Sequence, residues 1–148
     1  MQALIKDAVG KGARVVAGGR VEGTLMSATV LDHVTSSMRI YGEESFGPIV
    51  GVLRARDTEH AVELANDCEY GLSAAVFSRD INTAFSVAQR IDSGICHINS
   101  PTVQDEAQMP FGGTKSSGVG RFGGSAGVAE FTDLRWISIS TKPRHYPI

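Results

Sequence analysis

Long apolar runs are missing from this 148-residue sequence: none approaches the roughly 18 residues needed to span a bilayer, and no charged-then-apolar leader opens the chain. The expectation is a soluble, cytoplasmic chain with no membrane partner. Basic charge is also scarce, with 14 Lys and Arg against 16 Asp and Glu, a formal net charge of −2, no basic run and only 7% aromatic residues. A nucleic-acid surface needs clustered cations, so nucleic acid is excluded as a partner. Cysteine is limited to Cys68 and Cys96, too few for a disulfide framework and read as reduced thiols. His33, His60, His97 and His145 are scattered, no metal-ligand spacing appears, and no metal is expected. Internal repeats and low-complexity segments are absent.

The length suits one domain with a real core. Glycine is the residue in excess, at 17, and seven of these lie between Gly112 and Gly127. That clustering gives one loop unusual backbone demands. It contains "PFGGTKSSGVGRFGG" (110–124), in which Gly118, Gly120 and Gly123 spell a dinucleotide fingerprint around Arg121.

Hydrophobic periodicity places this loop. Leu4, Ile5, Ala8 and Val9 form a helical stripe over 2–11, with Gly12 as a stop. No capping residue precedes it, so the chain is expected to begin part-way through something larger. Runs at 14–17 and 28–34 predict two strands. "IVGVLRA" (49–55), a helix capped by Asp57, "AAVFS" (74–78), a helix capped by Asp80 and "GICHIN" (94–99) then predict βαβαβ. Such alternation implies an α/β fold, a mostly parallel sheet flanked by helices, with ligands beyond the carboxyl ends of the strands. The last strand leads directly into the loop 100–118. After it come a short helix in "GGSAGVAEF", a terminal strand "LRWISIS" (134–140) that needs an edge to pair with, and a proline-broken tail.

The phosphate readings of the glycine loop fail on context. A fingerprint follows a strand directly, whereas 100–117 reads as loop, and Glu130 and Asp133 come too soon to serve as its acidic partner. Thr114 stands before Lys115 where a Walker motif requires glycine. The plainer reading is a tight turn whose glycines let backbone pass close to a bulky neighbour. For "YGEESFGPIV" (41–50) two readings stand: solvated Glu43 and Glu44 with Phe46 in the core, which pattern alone favours, or a carboxylate accepting from a sugar diol with a phenyl ring on a planar ligand. Cys96, inside a strand, reads as core, and Cys68 lies at a helix end where the dipole disfavours a thiolate. His97, on the opposite strand face, reads as a hydrogen-bonded core or loop-facing residue. No catalytic constellation is complete.

Taken in order, "EESFGP" (43–48), "YGLSAAVFSRD" (70–80) and "MPFGGTKSSGVGR" (109–121) resemble the NAD(P)-dependent aldehyde dehydrogenase superfamily. The likeness runs from Gln2 to the end and corresponds to the C-terminal third of a family member. "GICHINSPTVQDEAQMPFGG" and the ending "HYPI" look like the branch acting on aromatic aldehydes, although Ser100 and Gln104 stand where that branch commonly has Gly and His.

The resemblance implies that residues 1–133 form an incomplete catalytic domain and 134–148 an oligomerisation strand and tail. It implies that Glu44 hydrogen-bonds the nicotinamide ribose and Phe46 packs on the nicotinamide ring of NAD or NADP. Phe111 would line the aldehyde pocket, Leu72 would lie near the nicotinamide end, and the glycine loop would be a close-packed wall. The family's nucleophilic cysteine, general-base glutamate and oxyanion asparagine belong to an upstream segment, and neither Cys68 nor Cys96 matches the nucleophile's motif. The chain therefore carries no catalytic residue and is expected to be inactive alone. Expected partners are a small aldehyde and either further copies, through the terminal strand, or the missing N-terminal part. A non-enzymatic assembly module pairing with full-length subunits is the alternative.

Overall fold

The computed structural model describes residues 1–145; Tyr146, Pro147 and Ile148 of the "HYPI" ending lie outside the described residues. The predicted stripe buries Leu4 and Ala8 along helix α1 (Gln2–Gly10), while Val9 turns out to solvent. Met1 at its N-cap makes no side-chain capping bond. Strand β1 (Arg14–Ala17) leads through the hairpin β2 (Val21–Glu22) and β3 (Leu25–Met26) to β4 (Thr29–Asp32), which pairs antiparallel with β1. The single-turn helix α2 (Arg39–Gly42) precedes β5 (Ile49–Gly51), parallel to β4. Fully buried Leu31 on the central strand packs with Ala8, Ala13, Val34 and Met38. Burial of a leucine side chain contributes about 1.5–3 kcal/mol, and this cluster fixes α1 against the sheet.

The second half is a crossover unit. Asp57 and Asp80 each accept a backbone N–H of the turn that follows, from His60 at 2.8 Å and from Asn82 at 3.0 Å, and so start helices α3 (Thr58–Asn66) and α4 (Ile81–Ala88). Between them lie β6 (Tyr70–Gly71) and β7 (Ser73–Val76); β8 (Ile95–Ile98) follows α4 and runs parallel to β7, from Ser73↔Ile95 to Val76↔Ile98. Strand β9 (Thr114–Lys115) pairs antiparallel with β6, and helix α5 (Gly124–Glu130) follows it. Within this unit Asn66, at the end of α3, is tied to the segment after α4: its amide donates to the Arg90 carbonyl and accepts from the Asp92 N–H, each at 2.8 Å.

The α/β class stands, and four details of the sequence reading change. The βαβαβ run is not one ladder: β5 belongs to the sheet β1-β4-β5 and β7 to the pair β7-β8, with no hydrogen bonds between β5 and β7 among the described residues. The strand expected over 49–55 is three residues long: Val52 N–H makes a last ladder bond to the Leu31 carbonyl, its own carbonyl accepts from Val34 N–H beyond the end of β4, and residues 53–55 lie outside the ladder. The loop 100–117 contains β9, which finds its edge in β6. Residues 134–140 form no ladder among the described residues, and Leu134, Trp136, Ile137 and Ile139 are exposed. A strand needs an edge to pair with, and this segment pairs with none of the sheet edges of the described chain.

At the end of β4, Asp32 accepts from Arg54 Nε at 2.9 Å, from a second guanidinium N–H of Arg54, and from the His33 backbone N–H at 2.8 Å. The Arg54 guanidinium is the main cause of a carboxyl held down to about 2, against an ordinary 3.8, with burial opposing. A depressed folded pKa stabilises the fold above the unfolded value and loses that contribution as pH falls through the folded one. Urea midpoints should therefore drop between pH values of about 4 and 2, and Asp32→Asn should flatten that part of the profile.

Candidate functional site

The glycine loop is built to lie close to β8. Any side chain at Gly94 would collide with the Gly112 carbonyl, so the strand entry and the loop touch backbone to backbone. Gly123, at φ 84°, similarly approaches the Met109 carbonyl. The cations of this stretch are committed to carbonyls. Lys115 Nζ donates to Asn66 O at 2.9 Å and Cys68 O at 3.1 Å, beyond the end of α3, and Arg121 donates to Gly113 O and Gly120 O at 2.8 and 2.7 Å. Bound in this way they brace a wall of loop backbone.

Phe111 is held in that wall by a two-way backbone bridge to Phe122, at 2.8 and 2.7 Å. Its ring meets Leu72, at the β6–β7 junction, across a concave site of about 410 Å³ that Val103 and Gln104 also line. Phe111, expected to line the aldehyde pocket, and Leu72, expected near the nicotinamide end, thus line one and the same concavity. On the other side of Phe111 and Gln104 a second concavity, about 320 Å³, is lined by Cys96 and His97. Burial pushes the Cys96 thiol up, away from the thiolate a nucleophile needs. His97 Nε2 is buried and has no hydrogen-bond partner among the described residues, where the sequence reading expects a hydrogen-bonded core or loop-facing residue.

Glu44 and Phe46 lie on the turn between α2 and β5. Phe46 is 92% exposed, not in the core as pattern alone favoured, and has φ 40°, a left-handed conformation that bulky residues rarely adopt. Such strain persists where the surroundings impose it, often at ligand-binding positions. The two glutamates differ in commitment. Glu43 is gripped by Arg39, Nε to Oε1 at 2.6 Å and NH2 to Oε2 at 2.8 Å, which lowers its pKa. Glu44 makes no side-chain hydrogen bond or ion pair among the described residues. The Tyr70 hydroxyl is raised chiefly by the Glu69 charge, with burial and then the Glu44 charge adding to the effect. Sequence reasoning missed two pairs: Arg39–Glu43, legible as an i,i+4 spacing, and Ser100–Gln104, whose hydroxyl donates to the amide oxygen at 2.6 Å.

The aldehyde dehydrogenase family model matches residues 1–137. The chain belongs to the aldehyde dehydrogenase family. A vanillin dehydrogenase of Pseudomonas fluorescens is 61% identical over all 148 residues, which make up 31% of that protein. A salicylaldehyde dehydrogenase of Pseudomonas putida is 55% identical over 97% of the chain and 30% of its own length. Among solved structures, a salicylaldehyde dehydrogenase from Pseudomonas putida complexed with salicylaldehyde superposes with a TM-score of 0.92 at 53% identity, covering 99% of this chain and 30% of that one. The Mycobacterium tuberculosis aldehyde dehydrogenase complexed with NAD+ gives 0.82 at 36% identity, over 89% of this chain and 28% of that one. This aldehyde dehydrogenase chain thus spans about a third of the length of such relatives.

Proposed function

We propose that this chain is the C-terminal part of an enzyme that oxidises aromatic aldehydes to carboxylic acids with NAD or NADP in the cytoplasm. One observation carries the reading: Leu72 and Phe111 face one concave site in a chain 61% identical to a vanillin dehydrogenase. An apolar slot of this volume suits a single substituted benzene ring. The residues present also fit the cofactor. Glu44, unlike Glu43, has both carboxylate oxygens available for a ribose diol, and the exposed Phe46 ring offers a planar face to the nicotinamide. When bound, NAD or NADP supplies the hydride acceptor. Glu44 and Phe46 hold its reacting end at a fixed position, while Leu72 and Phe111 exclude water and orient the aldehyde. Residues 1–133 supply this surface, and the segment 134–140, ahead of the tail, forms a strand on joining a neighbouring copy or the upstream part.

The test joins this chain to the upstream two thirds of the Pseudomonas fluorescens vanillin dehydrogenase. In that chimaera, Phe111→Ala should raise the KM for vanillin about tenfold, the equivalent of one ring's lost burial, and leave the KM for NAD unchanged. A change confined to NAD would remove Phe111 from the aldehyde site.

One observation favours a second reading, an assembly module without chemistry: the apolar 134–140 segment stands unpaired. Co-purification with a longer dehydrogenase, together with an inactive chimaera, would mark that role.

A further inference from the structure

The concave site between Leu72 and Phe111 has a polar member held in one orientation. The Ser100 hydroxyl donates to Gln104 Oε1 at 2.6 Å, which occupies the amide oxygen and fixes which end of the amide carries the donors. Gln104 Nε2 has no partner among the described residues, and Gln104 lines the site together with apolar Leu72, Val103 and Phe111. The loop that carries Gln104 is pinned to β7, where Ser73 Oγ donates to the Thr102 carbonyl at 3.1 Å and so is itself engaged. Nearby Asp105 carries a carboxylate, which accepts hydrogen bonds and so matches a donor on the ligand, not an oxygen acceptor. The remaining side chains at the aldehyde end supply shape without a charge that could donate.

We propose that Gln104, oriented by Ser100, is a specificity-determining residue that donates an Nε2–H hydrogen bond to a ring oxygen, hydroxyl or methoxy, of an aromatic aldehyde. This rests on the aromatic-aldehyde reading of the same site. Gln104 contacts the substrate directly, and Ser100 is a positioning residue acting through it. The preference arises because a substrate without the ring oxygen forgoes the hydrogen bond that the oriented amide donates.

The test measures kcat/KM in the chimaera for vanillin, which has ring oxygens, and for benzaldehyde, which has none. Gln104→Met keeps the length and removes the donors; the vanillin-to-benzaldehyde ratio should fall about tenfold, the loss expected for one neutral hydrogen bond, with benzaldehyde itself within about twofold. Ser100→Ala should lower the ratio in the same direction by less, and Ser100→Thr, which keeps the hydroxyl, should restore it. A merely structural role would move both substrates together. A ratio unchanged in Gln104→Met, or a parallel loss on both aldehydes, overturns the assignment of Gln104 while the aromatic reading stands. A parent chimaera that oxidises straight-chain aldehydes better than either aromatic one overturns the reading beneath it as well.

Discussion

Replacing Glu44 with glutamine in the chimaera should lower kcat/KM for NAD by roughly 10- to 100-fold, the range expected when an acceptor's charge-assisted hydrogen bonds become neutral ones. The matching change at Glu43 should do little, because that carboxylate spends its oxygens on Arg39 at an exposed site, where such pairs contribute little. The contrast between neighbours makes the experiment informative, since a general effect on the turn would appear in both. The cause lies in geometry: hydride transfer requires the nicotinamide held at a set distance from the aldehyde carbon, and a ribose released from Glu44 lets the ring move. Vanillin deuterated at the formyl carbon should accordingly show a larger isotope effect in Glu44→Gln than in the parent. Equal losses at the two glutamates would remove the ribose role from Glu44.

A second large effect is expected in assembly. Trp136 is 92% exposed, and Leu134, Ile137 and Ile139 stand out with it in a segment that has no ladder partner. Apolar side chains in this density associate, and an extended segment completes itself on a sheet edge. The isolated chain should sediment as species larger than its 15.7 kDa. Trp136→Asp combined with Ile139→Asp should shift the chimaera to its monomer, which light scattering would read directly. A wild-type chain that sediments as a single 15.7 kDa species would contradict the role of this segment.

Local chemistry made much of the architecture legible. Asp57 and Asp80 announced α3 and α4 because a carboxylate before an apolar-periodic run has a defined task at a helix start, and both perform it. The strands β7 and β8 were legible as short apolar runs separated by a helix. What escaped depends on contacts distant in sequence. The β6–β9 ladder joins Tyr70 to Lys115, and two residues per strand carry no periodic signal. The break between β5 and β7 was invisible because alternation of elements gives their order and says nothing of which edges meet. Phe46 is the instructive case. Composition favours burying a phenylalanine, yet a left-handed turn beside Gly47 carries its ring outward. Motif resemblance singled out Leu72 and Phe111, which line one concavity, whereas the orientation of the Gln104 amide needed the observed Ser100 contact.

The central claim is that this chain supplies the aldehyde and nicotinamide surfaces of a dehydrogenase whose reacting groups lie in an upstream segment. NADH formation from vanillin, measured side by side for the isolated chain and the chimaera, tests it most directly. The account predicts none from the chain alone and steady formation from the chimaera. Thiol-dependent NADH formation by the isolated chain, or an inert chimaera that is folded and binds NAD, would contradict it.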